Sequence, residues 1–156
     1  MCGIAGFIGA GNQTDIARMT RAIAHRGPDD ESFFADPDRN LHFGFRRLSV
    51  LDHDGGKQPM QTIGGDLTVV FNGEIYNHRE LRHILEQKGH RFVSNHSDTE
   101  VLLHGYREWG ESLPERLNGM FAFAIYDRPR QRVFMARDRF GEKPVFLHHA
   151  TGLFAF

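Results

Sequence analysis

The chain has 156 residues, with 19 Lys plus Arg, 20 Asp plus Glu and a formal net charge of -1, a size that suits one domain with a real core. Hydrophobic residues at 40% and charged residues at 25% exclude a disordered chain, and the balanced charge offers no basic footprint for nucleic acid. The longest apolar stretch, near Met120–Tyr126, falls far short of the ~18 residues a membrane span needs.

In chain order, Cys2–Ile8 is a glycine-punctuated strand. Ile16, Met19 and Ile23 form one stripe of a helix over Thr14–Ala24, with Asp15 in its first turn and Gly27-Pro28 ending it. Glu31–Ala35 and Leu41–Arg47 are strands about the turn Asp36-Pro37-Asp38, Asp52–Pro59 is a loop, and Leu67–Phe71 is a β-branched strand. Asn77 with Glu80, and Ser97 with Glu100, have capping-box spacing. Each opens a helix, and Gly89 and Gly110 stop them. Phe121–Tyr126, apolar on both faces, suits a strand buried between two layers. It pairs with Arg132–Ala136 across Arg128-Pro129-Arg130. Phe146–His149 and Leu153–Phe156 form a last hairpin through Thr151-Gly152.

No repeat or linker divides the chain, so one domain is expected. Strands in consecutive hairpins, with helices clustered between them, favour an α+β fold of antiparallel sheets. The chain stops at Phe156 inside an apolar strand pattern, which suggests the N-terminal fragment of a longer chain. The sole cysteine, Cys2, can form neither an internal disulfide nor a Cys-based zinc site, so the expected location is cytoplasmic. Met1–Ala10 lacks the charged n-region of a signal peptide, since no Lys or Arg precedes Arg18.

Cys2 directly follows the initiator methionine, whose removal is expected before so small a residue. The mature chain would then hold a thiol and a free α-amino group on one residue. An unperturbed thiol is only about 3% thiolate at pH 7, and it needs a base. The α-amino group, with a pKa of about 7.7–8.0, is partly neutral there and already within reach. An inert buried cysteine is the plainer reading of position two alone.

The segments around that residue settle the choice. Met1-Cys2-Gly3-Ile4-Ala5-Gly6 resembles the start of class II glutamine amidotransferases, which are N-terminal-nucleophile hydrolases. Arg26-Gly27-Pro28-Asp29 resembles a motif widespread in that class. Arg47-Leu48-Ser49-Val50-Leu51-Asp52, Gly56-Lys57-Gln58-Pro59-Met60, Asn72-Gly73-Glu74-Ile75-Tyr76-Asn77 and Ser97-Asp98-Thr99-Glu100 narrow the match. With Leu117-Asn118-Gly119-Met120-Phe121 and Ala136-Arg137-Asp138-Arg139-Phe140-Gly141, the ordered set is similar to the glutaminase domain of glutamine-hydrolysing asparagine synthetases.

That resemblance implies a four-layer αββα sandwich and hydrolysis of L-glutamine to L-glutamate and ammonia through a γ-glutamyl thioester. Cys2 matches the nucleophile. Asn72, through its side-chain amide, and Gly73, through its backbone N–H, match the oxyanion hole. Read alone, Asn72-Gly73 is a hairpin turn, the strongest type I′ signal. Arg47 matches the partner of the glutamine α-carboxylate, and strand alternation sends Arg46 to the opposite face. Asp98 and Glu74 match the acceptors of the α-ammonium group, while Leu48, Ser49, Val50 and Leu51 would line the substrate through backbone contacts. The family often has His where this chain has Phe45, and Tyr-Tyr where it has Val145-Phe146-Leu147.

The resemblance also implies a synthetase domain as ammonia acceptor, in the same longer chain or a partner chain, and a possible homodimer. No cofactor is expected in this domain. ATP and Mg²⁺ would belong to the missing synthetase part, since no Ser-Gly-Gly element is present. A different ammonia acceptor, or a non-catalytic module with the same fold, is the alternative reading. The 10 histidines suggest solvated or capping residues, not a metal site: His78 and His83 do not share a helix face well. Arg137-Asp138-Arg139 reads equally as a solvated hairpin edge or as part of an interface.

Overall fold

The computed structural model describes residues 2–48 and 57–156, and two antiparallel sheets run through them. The first sheet takes the order β2 (Asp30–Asp36), β3 (Leu41–Arg47), β1 (Gly3–Gly9), β9 (Leu153–Ala155) and β8 (His148–Ala150). The second takes β4 (Met60–Gln61), β5 (Leu67–Ile75), β6 (Gly119–Asp127) and β7 (Arg132–Arg137). Four helices flank them: α1 (Gln13–Ala22), α2 (His78–Gln87), α3 (Asp98–Trp109) and the short α4 (Leu113–Arg116).

Strand alternation divides the side chains among three cores. Leu41, Phe43 and Phe45 of β3, with Ile4 and Ile8 of β1, meet Val70 of β5 and Ala124 and Tyr126 of β6 between the sheets. Ala5 and Phe7 face the other way, onto Ile16 of α1. Val69, Phe71 and Ile75 of β5 and Phe121, Phe123 and Ile125 of β6 pack beneath Leu81 and Leu85 of α2 and Val101, Leu102 and Tyr106 of α3. The layers therefore run helix, sheet, sheet, helix, the αββα sandwich expected. A single side chain also bridges the sheets: the Tyr126 hydroxyl donates to Asp36 Oδ2 at 2.7 Å, and burial together with that carboxylate pushes the phenol up to about 12. The contact of α1 with β3 is close enough that a Cβ on Gly44 would lie 2.2 Å from Thr20 Oγ1.

Several local readings change in the folded chain. The capping box belongs to α1, where Asn12 Oδ1 accepts from the Thr14 N–H and Asp15 Oδ2 from the Asn12 N–H. The expected boxes at Asn77 and Ser97 do not form. Asn77 instead bridges the Arg116 carbonyl and the Asn118 N–H, and Glu100 accepts from the N–H groups of Val93 and Ser94. Tertiary partners outcompete the helix ends for both side chains. The strand expected over Leu67–Phe71 runs on to Ile75, pairing residue by residue with β6. Asn72-Gly73 thus lies inside a strand, not in a turn. In the last hairpin only His148 and His149 of Phe146–His149 enter a strand, and Phe146 and Leu147 are exposed.

Candidate active site

Three strands bring the expected residues to one end of the space between the sheets. Gly3 pairs with Arg46 in the ladder between β1 and β3, and Cys2 lies one residue beyond that pair, alongside Arg47. Cys2 packs at the margin of the inter-sheet core with a half-buried, free thiol. Arg47 continues the face of Phe43 and Phe45, so it too points between the sheets. It lines a small cavity of about 60 Å³ with Asp30, Ser32, Phe45, Lys57 and Gln58. Arg46 takes the outer face, where its guanidinium donates to the Gly27 carbonyl at 2.8 Å and to Glu31 at 2.9 Å. The choice of Arg47 over its neighbour therefore follows from the pleat.

On the facing sheet, Asn72 and Glu74 continue the face of Val70. Asn72 as a residue is only 7% exposed, on the face that carries Val70 into the inter-sheet core. A side-chain amide at the margin of that space has donor N–H groups to offer a group that enters it. Glu74 is exposed at the rim. Gly73 is backed closely by β6: a Cβ there would meet the Met120 carbonyl oxygen at 2.1 Å and Phe121 Cα at 2.7 Å. Only glycine allows this strand its path.

The N–H groups of β5 show why Gly73 is distinctive. Even-numbered residues of this segment face β6, as the Tyr76 N–H donating to the Asn118 carbonyl shows. Odd-numbered residues face the opposite edge. There the Phe71 N–H donates to Gln58 Oε1 at 2.5 Å and the Ile75 N–H to Asp98 Oδ2 at 3.1 Å. The Gly73 N–H lies between these two on the same edge. A backbone N–H and a side-chain amide from adjacent residues are the donor set an oxyanion hole needs.

Asp98 opens α3 and reaches β5 through that bond to Ile75. Burial pushes its carboxyl above the usual aspartate range, with nearby Glu74 adding to the rise. The N–H groups of Ile75 and Thr99, together with His78, pull the other way. His78 Nδ1 lies 2.8 Å from the Ile75 carbonyl, so both polar groups of that residue are held by side chains. A carboxylate kept partly desolvated in this way gains from a cation beside it. Leu48 follows β3, half-buried, while Ser49, Val50 and Leu51 lie outside the described residues, as does most of the expected loop Asp52–Pro59.

Other charged and titratable groups do structural work. Asp138, 5% exposed, accepts the N–H groups of Phe121, Phe140, Glu142 and Lys143. Burial alone would raise its carboxyl, but those four donors bring it below the ordinary range. Arg137-Asp138-Arg139 is thus not a plain solvated edge, because its centre anchors the loop after β7. We expect Asp138→Ala to lose about 3 kcal/mol or more in chemical denaturation, since several buried donors are orphaned at once. A loss under about 1 kcal/mol would contradict this anchoring. The depressed pKa gives the sign with pH: the stabilisation is present above the unfolded aspartate value and is lost as pH falls through the lower folded value.

His42 and His104 are buried, unlike the solvated histidines expected, and burial lowers the pKa of each. Among the described residues no group of three His, Cys, Asp or Glu is placed to hold a metal ion. Among the described residues no helix is long and apolar enough to cross a membrane. A larger cavity, about 570 Å³, opens beside α3 between Met60, Ile63, Val93, Leu103 and His104. Two of its charged groups are already engaged, Arg107 with Asp66 and Glu100 with Ser94, and volume alone does not make it the site of chemistry.

The sequence-level expectations gave Gln58 and Thr99 no role of their own and did not foresee Asp138 as a loop anchor. Asp138 followed three residues later by Gly141, whose φ is +67°, is a loop signature that could have revealed the last. No local pattern marks the role of Gln58.

Comparison with known proteins bears on the family and the fold. A family model described as a glutamine amidotransferase domain matches residues 1–156. A glutamine-hydrolysing asparagine synthetase of Bacillus subtilis is 44% identical over 163 residues, covering 100% of this chain and 26% of its own length. One from Oryza sativa is 36% identical, covering 94% of this chain and 25% of its own length. The chain thus spans about a quarter of the curated relatives it matches. Among solved structures, a glutamine phosphoribosylpyrophosphate amidotransferase from B. subtilis superposes with a TM-score of 0.79 over 99% of this chain and 41% of its own, at 18% identity, a likeness of fold.

Proposed function

This chain belongs to the glutamine amidotransferase domain family, and from that premise we propose that it hydrolyses the side-chain amide of L-glutamine with Cys2 as nucleophile. The observation that carries the reading is the convergence of Cys2, Arg47, Asn72 and the Gly73 edge on one end of the inter-sheet space. Once Met1 is removed, the Cys2 α-amino group takes the thiol proton as Sγ attacks the amide carbon. The oxyanion that forms is held by the Asn72 side-chain amide and the Gly73 N–H. Collapse of the tetrahedral species expels ammonia, which leaves with the proton from the α-amino group. Water then hydrolyses the γ-glutamyl thioester, releasing glutamate and restoring the thiol.

The substrate's other end is charged at both groups. Arg47 pairs with the α-carboxylate, and Asp98 and Glu74 accept from the α-ammonium. Leu48, Ser49, Val50 and Leu51 complete the lining through their backbone. In this reading the ammonia passes to an asparagine-synthetase-type domain, as the relatives' length suggests, and ATP and Mg²⁺ serve that domain, not this one.

The two charge contacts are the same in ground and transition states, so their loss shows chiefly in KM. We expect Arg47→Ala and Asp98→Ala to raise the KM for glutamine roughly 10–150-fold with kcat much less affected. Equal losses in kcat and kcat/KM would refute that assignment. A pH effect follows from the raised pKa of Asp98. The ammonium needs the ionised carboxylate, so KM should climb as pH falls through a value above that of an ordinary aspartate. In Asp98→Asn the KM should be high and flat over that range. Steady-state KM measured from neutral to mildly acid pH decides it, and a wild-type KM insensitive to pH there would contradict the role of Asp98.

A further inference from the structure

The geometry points to Gln58 as a positioning residue for glutamine hydrolysis. This inference rests on the glutaminase reading above: the Gln58 side chain fixes the β5 edge that presents the Gly73 N–H and ties it to the start of the helix that presents Asp98. The need for such a residue comes from the short partner strand. β4 ends at Met60, opposite Val69, while β5 runs on to Ile75. Beyond that point no strand among the described residues meets the outward N–H groups of β5, and buried N–H groups are rarely left so.

Gln58, 8% exposed, takes the first of them, the Phe71 N–H, on its Oε1 at 2.5 Å. Because that N–H can only donate, the oxygen end of the amide is fixed, and its nitrogen points onward to Thr99 Oγ1 at 3.4 Å. Phe71 precedes Asn72, and Thr99 follows Asp98. The Gln58 carbonyl accepts from the Ser32 hydroxyl of β2. Its residue also lines the small cavity with Arg47. One residue therefore touches the neighbours of the oxyanion donors and of the ammonium acceptor, and shares a wall with the carboxylate clamp. The glutaminase chemistry requires these three groups to hold their spacing, and a misplacement on the order of 1 Å costs on the order of 100-fold in rate.

The two ends of the amide separate in their effects. Thr99→Val removes only the far end. It should raise the glutamine KM about three- to tenfold with kcat within about twofold, and Thr99→Ser, which keeps the hydroxyl, should restore KM. Gln58→Met removes both ends and frees the strand edge, so kcat should fall on the order of tenfold to 100-fold while KM also rises. Circular dichroism and a thermal melt establish that Gln58→Met is folded. If it is not, the Thr99 pair decides alone. The inference is overturned by a folded Gln58→Met with wild-type kcat and KM, or by a Thr99→Val that leaves KM unchanged or is not rescued by Thr99→Ser. A wild-type protein without Cys2-dependent glutamate release would instead overturn the glutaminase reading itself.

Discussion

A Cys2→Ala protein is expected to fold normally and to release no glutamate above background. The chain has 1 cysteine, so no second thiol can substitute. The residue stands at the margin of the inter-sheet core, half-buried, and trimming one sulfur there costs only about 1 kcal/mol of stability. Loss of a covalent nucleophile costs on the order of 10⁴–10⁶ in kcat, which in practice is the whole activity. Cys2→Ser should also be severely impaired, because a hydroxyl is a poorer nucleophile beside the same weak base. Glutamate release measured on the folded variant gives the answer, and a wild-type-like rate in Cys2→Ala would remove Cys2 from the chemistry altogether.

Asn72→Ala is the second large effect, and it acts on a different constant. Asn72 is 7% exposed and lies on the face that Val70 shares with the inter-sheet core. In the proposed mechanism it meets charge that exists only after Sγ has attacked, so its removal is expected to raise the barrier without weakening glutamine binding. Loss of one such donor costs about 10²–10³ in kcat. KM should stay within a few-fold of wild type. An Asn72→Ala variant that changes KM alone would show that the side chain belongs to the substrate clamp and not to the oxyanion hole.

The parts of this site that were legible in the sequence are those set by the two-residue period of a strand. Arg47 and not Arg46 faces inward because Phe43 and Phe45 do, and the apolar run through Phe121–Tyr126 announced a strand with a packed layer on each face. Cys2 stood out in the sequence because the chemistry proposed for it depends on its position in the chain. Contacts made across the fold were not. Asn72-Gly73 has the composition of a turn, yet its pairing with Phe121 and Ala122 holds it extended. Ser97 with Glu100 has the spacing of a capping box, yet the Val93 and Ser94 N–H groups draw the carboxylate away. Local propensity is worth about 1 kcal/mol at such positions, and a full ladder or several buried hydrogen bonds override it. Gln58 stands in a segment that helped identify the family, but nothing local marks its role, which depends on where β4 stops relative to β5.

The central claim is that the thiol and the freed α-amino group of Cys2 act together on glutamine. Intact-mass measurement of the active protein, before and after treatment with a chloroketone analogue of glutamine, tests it most directly. The account predicts a chain that begins at Cys2, one adduct per chain mapped to that residue, and loss of glutaminase activity in step with the adduct. A fully active chain that retains Met1, or inactivation without modification of Cys2, would contradict it.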